Sequence, residues 1–373
     1  MRVGVNARLL HSDRLEGIGR YLFETVQSMA KQHPEDEFIL FFDRPFDSSF
    51  LKLPNLKGVL VPMATRHPVL IVWWFDWLLP KVLQKHEIDV FYSPDNFLSL
   101  RTKTPTLLVC HDLAYKSFPE GLRWDYQLFY EIFMPKYLAK ADKIITVSEF
   151  VKNDVIEKMQ ISSDKITVAY NALPTRENEN IEKESGLSIV DQWSEKPYFV
   201  FVGALHPRKN IVNLIKAFNQ FSEQKNHSHQ LVIIGKLAWK TDEIVKMMES
   251  EGVIHLQNVK DNQLMQVLKG AVAMVYPSFF EGFGIPILEG FAAKIPVITS
   301  GTSSMPEVGG KAVLLVDPNS VNDICGAMER LIDDKQMVKK LVELGDERLK
   351  DFEWKRSANI IYEGLLEISK STV

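Results

Sequence analysis

The chain has 373 residues, 46% of them hydrophobic and 25% charged, the profile of a soluble globular protein with enough length for two domains. A net charge of −4 provides no overall attraction to nucleic acid, and no nucleic-acid partner is expected. The two cysteines, Cys110 and Cys325, lie far apart in apolar settings, which reads as buried free thiols in a reducing, cytoplasmic compartment rather than a disulfide or a cysteine-based metal site.

Met1-Arg-Val-Gly-Val-Asn6 reads as a strand and not as a leader, because no long apolar stretch follows a basic one. A polar loop then ends in Gly17-Ile-Gly19, and 20–31 has helical spacing, with Leu22, Val26, Met29 and Ala30 on one side. Further strands are expected at 38–42, 59–62, 89–92, 106–110 and 143–147, with helices at 73–85, 126–141 and 149–159, the last capped by Ser148. Val69-Leu-Ile-Val-Trp-Trp-Phe-Asp-Trp-Leu-Leu79 is about half the length that a membrane span needs and contains Asp76. It reads as a buried helix. The alternative is a hydrophobic surface that meets a lipid-linked partner or a membrane interface.

Residues 175–197 turn polar and read as a linker. The rhythm then restarts, with strands at 198–202, 230–234, 253–257, 271–276, 297–299 and 311–316. Helices are expected at 212–224, 241–250, 261–270, 287–293, 321–333 and 337–344, and a last helix from about Ser357 to Ser369. Short apolar strands alternating with helices predict parallel sheets covered on both faces. The pattern runs twice, which predicts two doubly wound domains facing each other across a cleft.

In such sheets ligands bind beyond the carboxyl ends of strands, and four candidates fall there. Gly17-Ile-Gly19 opens a helix, where glycine admits an anion closely and the helix end favours negative charge; a simple tight turn is the alternative. After the strand ending at Val202, Gly203 leads to the adjacent cations Arg208 and Lys209, suited to a diphosphate or else a solvated basic turn. Glu281 and Glu289 bracket a glycine turn between a strand and a helix. They read as an acid and base pair, as acceptors for sugar hydroxyls, or, for Glu289, as a carboxylate favoured by the helix field. His111-Asp112 ends a strand and reads either as a polar pair touching substrate or as a local cap with a packed histidine. No His, Asp and Glu spacing suits a metal, and no serine sits in a G-x-S-x-G elbow.

Phe201-Val-Gly-Ala-Leu-His-Pro-Arg-Lys-Asn210 and Ser278-Phe-Phe-Glu-Gly-Phe-Gly-Ile-Pro-Ile-Leu-Glu289 together resemble the retaining glycosyltransferases of family four. The resemblance continues in Pro296-Val-Ile-Thr-Ser300, Ser303-Ser-Met-Pro-Glu307 and Leu314-Leu-Val-Asp-Pro318. In the first half it includes Gly17-Ile-Gly-Arg20, His111-Asp112 and Thr146-Val-Ser-Glu-Phe150. Trp73-Trp74 and the aromatic stretch around them are similar to bacterial members that transfer mannose in surface-polysaccharide assembly.

The resemblance implies the GT-B architecture of two Rossmann-like domains, an acceptor-side domain at 1–180 and a nucleotide-sugar domain at 195–350. A final helix at about 355–373 would return to the first domain. It implies transfer of a hexose, of mannose or glucose type, from a nucleotide diphosphate sugar (GDP-mannose or a UDP-hexose) to a glycan or lipid-linked hydroxyl acceptor. It implies no cofactor and no metal ion. Arg208 and Lys209 would hold the diphosphate. Glu281 would contact the donor sugar, with the N–H groups of Phe283 and Gly284 and the neighbouring Ile285 beside it, and Glu289 would bind the ribose. Gly17 and Gly19 would face the phosphates, His111 would touch the donor sugar, and Asp112 would lie toward the acceptor. A cytoplasmic enzyme with peripheral membrane contact is the expected setting. A nucleotide-sugar epimerase, a phosphorylase of the same architecture and a non-catalytic nucleotide-binding subunit stand as alternatives. Lys294, where the family usually has glycine, and Gly309-Gly310-Lys311 depart from the family pattern and place local turn geometry in question.

Overall fold

Strands of four to six apolar residues can be buried on both faces only in sheets covered by helices, and both sheets here are parallel throughout. The computed structural model describes every residue except 11–14, 16, 66, 120–121, 175–195, 226–227, 239–240 and 371–373. The chain forms two units, one of Met1–Thr175 with Glu353–Val373 and one of Arg176–Phe352.

The first unit runs β1 (Arg2–Asn6), α1 (Gly17–Gln32), β2 (Glu37–Phe42), β3 (Leu56–Leu60), α2 (Pro68–Trp73), a π-helical turn (Trp74–Leu78) and α3 (Leu79–Lys85). It continues with β4 (Val90–Ser93), β5 (Thr106–Cys110), α4 (Ala114–Ser117), α5 (Trp124–Lys140), β6 (Lys143–Thr146), α6 (Glu149–Met159) and β7 (Ile166–Val168). Its sheet has the order β3-β2-β1-β4-β5-β6-β7, so the winding reverses between β1 and β4.

The second unit runs β8 (Tyr198–Val202), α7 (Ile211–Lys225), β9 (Gln230–Ile234), α8 (Asp242–Met247), β10 (Val253–Leu256), α9 (Asp261–Gly270) and β11 (Ala273–Tyr276). Then come α10 (Ile285–Ala292), β12 (Val297–Ser300), α11 (Met305–Gly309), β13 (Val313–Val316), α12 (Val321–Asp333) and α13 (Lys335–Leu349). The sheet order is β10-β9-β8-β11-β12-β13, with its reversal between β8 and β11.

The last helix, α14 (Trp354–Lys370), belongs to the first unit and packs on α1 and on β4, β5 and β6. Ala358, Ile361 and Leu365 are fully buried there, and side chains the size of Ile361 and Leu365 each contribute about 2 kcal/mol. Polar pins fix its position. Trp354 Nε1–H donates to the carbonyl of Leu173 at 2.6 Å, Ser357 Oγ–H donates to that of Tyr170 at 2.6 Å, and Tyr362 donates to Asp36.

Several local expectations change. The first helix begins at Gly17, not Arg20, so Gly17-Ile-Gly19 is its first turn and not a preceding loop. Gly19 is needed there because a Cβ would lie 2.6 Å from the carbonyl oxygen of Leu9, whereas Gly17 has open space. The helix expected from Trp73 begins at Pro68, capped by His67, because proline at the first turn loses no hydrogen bond. Ser148 caps α6 as expected, its hydroxyl oxygen accepting from the Val151 N–H at 3.1 Å. Most of the linker expected at 175–197 lies outside the described residues. Lys294 keeps the left-handed backbone, φ 60°, that favours glycine after a helix, so the turn persists with a lysine in it. Among the described residues no helix is long and apolar enough to cross a membrane.

Candidate functional site

The winding reversal of the second sheet lies between the carboxyl ends of β8 and β11, where a doubly wound sheet opens a crevice for ligand. Both leading motifs emerge from these two strands. Beyond β8, Gly203 turns the chain at φ 149°, and Pro207–Lys209 form one 3-10 turn capped by the ring of His206. Asn210 closes that turn at φ 60° and anchors it, its amide donating to the carbonyls of Pro277 at 2.9 Å and Pro318 at 2.6 Å. The Phe279 N–H donates to the Arg208 carbonyl at 2.9 Å and ties the two loops together.

Arg208, Lys209 and Glu281 thereby meet. Arg208 Nη1 donates to Glu281 Oε2 at 3.0 Å and to the Phe280 carbonyl at 2.7 Å. Lys209 Nζ donates to Glu281 Oε1 at 2.6 Å and to the Tyr276 hydroxyl at 2.7 Å, while that hydroxyl donates to Glu281 Oε1 at 2.9 Å. The Glu281 N–H donates to Ser303 Oγ at 3.1 Å, and Ser304 Oγ bridges the carbonyls of Glu281 and Phe283, each at 2.9 Å. Glu281 is 6% exposed. Burial pushes its pKa up, but Arg208 and Lys209 outweigh that and hold it at about 2. Glu281 is therefore an ionised acceptor at neutral pH and cannot serve as a general acid. Two cations and one carboxylate thus meet at the strand ends, a grouping suited to an anion.

Gly284 precedes α10 at φ 100°, a conformation that a side chain disfavours, and lets Ile285 begin the helix four residues beyond Glu281. The buried Phe283, Gly284 and half-buried Ile285 thus border the cluster at the positive end of α10. Glu289 lies one turn further along the same helix, half-buried.

In the first unit, His111 and Asp112 follow β5. His111 Nε2 lies 2.7 Å from the Pro94 carbonyl, which requires the ring to donate there, and its N–H donates to Asn96 Oδ1 at 2.9 Å. Burial holds its pKa below the usual value, so the ring is neutral and its Nδ1 is an acceptor. It packs edge-on to Tyr21 at 5.0 Å, two residues beyond Gly19, so the His111 and Gly17-Ile-Gly19 motifs adjoin. Asp112 accepts from the Ala114 N–H at 3.0 Å, the local cap that the sequence left open as an alternative.

Three groups of residues escaped sequence reasoning. Tyr276 reads as the last apolar residue of a strand, although a phenol at a strand's carboxyl end is a signal. Ser303 and Ser304 were part of the matched motif without a role. At the reversal of the first sheet, Arg8 Nη2 pairs with Asp95 Oδ2 at 2.7 Å, while Asn6 Nδ2 donates to Asp95 Oδ1 at 2.9 Å and to Ser93 at 3.1 Å. Arg8 and Asp95 are buried, so this pair braces the strand ends from within. Among the described residues no group of three or more His, Cys, Asp or Glu could hold a metal ion.

Two doubly wound units, one with an ionised cluster at its winding reversal, define an α/β protein of the ligand-binding kind. Residues 15–177 match the family described as Glycosyltransferase Family 4, and residues 189–348 match Glycosyl transferases group 1. The chain belongs to this glycosyltransferase family and is an enzyme of that class. The O-antigen chain mannosyltransferase B of Escherichia coli is 28% identical over 357 residues, covering 91% of this chain and 93% of that one. The O-antigen chain mannosyltransferase RfbU of Salmonella typhimurium is 27% identical over 272 residues, 72% of each chain. Sucrose-phosphate synthase from Thermosynechococcus elongatus superimposes with a TM-score of 0.74 at 16% identity over 99% of each chain, a likeness of fold, and that fold is GT-B.

Proposed function

We propose that the protein transfers mannose, or a hexose close to it, from a nucleoside diphosphate sugar to a hydroxyl of a glycan or lipid-linked acceptor, with retention, in surface-polysaccharide synthesis. The observation that carries this reading is the convergence of Arg208 and Lys209 on Glu281 at the winding reversal. Departure of a diphosphate concentrates negative charge on its oxygens, and two preorganised cations stabilise that charge in the transition state. Their pairing with Glu281 fixes their geometry before the donor arrives. Glu281, ionised, accepts from a donor-sugar hydroxyl and favours positive charge at the anomeric carbon. Glu289 is assigned to the ribose, and Phe283, Gly284 and Ile285 to the donor at the head of α10. Gly203, at the turn out of β8, gives the donor close backbone approach.

In the first unit, Gly17 and Gly19 are assigned to the phosphates, His111 to a sugar hydroxyl through its Nδ1, and Asp112 to the acceptor. The names of the two mannosyltransferase relatives support mannose, hence GDP-mannose as donor, with a UDP-hexose as the second choice. No metal or cofactor is invoked, since Arg208 and Lys209 take the charge of the diphosphate. A lipid-linked acceptor would place the protein at a membrane surface.

The test is thermal protection by GDP, UDP and ADP. One nucleotide diphosphate is expected to raise the melting temperature in proportion to the logarithm of saturation, and Arg208→Ala with Lys209→Ala to abolish that rise. Full transfer activity in the double variant would overturn the assignment.

A further inference from the structure

Two neighbouring helices of the first unit expose apolar stripes that the reaction does not use. Along α2, its π-helical turn and α3, Val69, Trp73 and Trp77 are 66%, 50% and 44% exposed, and the same four-residue spacing then reaches the exposed Lys81. Along α5, Trp124, Leu128 and Ile132 are 79%, 52% and 42% exposed, and that spacing reaches the exposed Lys136. Steps of four keep side chains on one side of a helix. Each stripe therefore runs from apolar to cationic, and α2 and α5 pack against each other. With Leu70, seven of the eleven large hydrophobic residues exposed among the described residues lie on these two elements. Folding does not require them to face water, since α5 already buries Phe129, Met134, Tyr137 and Leu138 on its other side.

The charges bordering the stripes select the occupant. The Arg101 guanidinium lies 3.7 Å from the centre of the Trp77 ring, with Lys103 exposed nearby in sequence. The carboxylates of the same elements are engaged: Asp76 accepts from the Leu100 N–H at 2.7 Å, Asp125 pairs with Arg123 at 2.8 Å, and Glu131 pairs with Lys116. The chain as a whole is acidic, at −4, so this cationic border is a local feature and not a reflection of overall charge. Tryptophans with lysines at their border match the boundary between acyl chains and anionic headgroups, with the lysine stems lying along apolar surface and the ammonium groups reaching phosphate.

We infer that the exposed stripes of α2 and α5 dock the protein on a bilayer surface rich in anionic phospholipid. This deepens the reading of a lipid-linked acceptor by naming the surface that meets the membrane. Its test requires neither donor nor acceptor, so failure of one reading is distinguishable from failure of the other.

The full chain is sedimented with vesicles of equimolar phosphatidylglycerol and phosphatidylcholine, and with vesicles of phosphatidylcholine alone. The protein is expected to pellet with the anionic vesicles, less so as salt rises, and its tryptophan emission to shift to the blue. Trp73→Ser with Trp77→Ser and Trp124→Ser is expected to lower partitioning by about tenfold or more, with melting temperature unchanged. Lys81→Glu with Lys136→Glu is expected to lower binding to the anionic vesicles alone. Failure of the wild type to bind either vesicle, or wild-type binding by the tryptophan variant, overturns the proposal. A dimer in solution that the tryptophan substitutions dissolve, without vesicle binding, assigns the surface to a second copy and also overturns it.

Discussion

The Glu281 carboxylate occupies two cations that the phosphates of a donor would also engage, and Glu281→Gln separates those demands. The side chain is 6% exposed, and its pKa is held at about 2 against an ordinary 4.5. That difference corresponds to about 3 kcal/mol in favour of the ionised, paired form. Arg208 and Lys209 keep 21% and 13% of their side-chain surface in solvent, so some charge is screened and the loss is expected to be about 2 kcal/mol. At roughly 2–4 °C per kcal/mol for a unit of this size, the melting temperature falls by about 4–8 °C. The folded pKa lies below the unfolded one. The stabilisation is therefore complete above about pH 5 and is lost as the pH falls from 4.5 toward 2. The glutamine variant has no carboxylate to protonate, so this part of the acid-unfolding curve flattens. In the second arm, GDP or UDP is added at neutral pH. The variant has lost one competitor for Arg208 and Lys209, so the nucleotide raises its melting temperature by more than it raises that of the wild type. Calorimetry with and without nucleotide measures both quantities. A variant as stable as the wild type, or one with a smaller nucleotide response, refutes the account of Glu281 as an internal counter-ion.

Tyr276→Phe keeps the ring beneath Lys209 but removes the hydroxyl shared by Lys209 and Glu281. About 2 kcal/mol of stability and a clear fall in kcat are expected, with little change in nucleotide affinity; unchanged melting and turnover would show that the phenol is idle. Lys294→Gly relieves a left-handed lysine at φ 60° and is expected to add about 1 kcal/mol, because its ion pair with Asp346 is exposed and weak. A lower melting temperature in that variant would contradict the strain. Burial pushes the thiol of Cys110 far above its usual pKa and that of Cys325 up to about 11. Neither should react with a disulfide reagent at about pH 8 until denaturant is added, and fast native labelling of either would contradict this.

The alternation of apolar strands with helices made the doubly wound class legible, and α12 was read to the residue at Val321–Asp333. Short or punctuated elements were not legible in this way. The five residues of α11 are too few to show a 3.6-residue period, and Pro68 hid the true start of α2. The site was legible as separate motifs. Lys209 and Glu281 stand 72 residues apart, and their meeting depends on β8 lying beside β11, which is a property of sheet order and not of either motif. Tyr276 was hidden by its strand, because a tyrosine fits a buried apolar run as readily as it serves a cluster. The destination of α14 rested on family resemblance alone, since its periodicity shows a buried face and not the surface that receives it.

That helix has a consequence for biosynthesis. The first sheet is complete at β7, but α14, which covers β4, β5 and β6, is encoded at the far end of the chain. At about 5–20 residues per second, the roughly 200 residues between them take about 10–40 s to synthesise. By the end of that interval the intervening unit has all of its own strands, while the unit made first still exposes apolar sheet. The ribosome thus releases the second unit able to fold before the first, and the interval is when a chaperone or an off-pathway contact has access to the uncovered face.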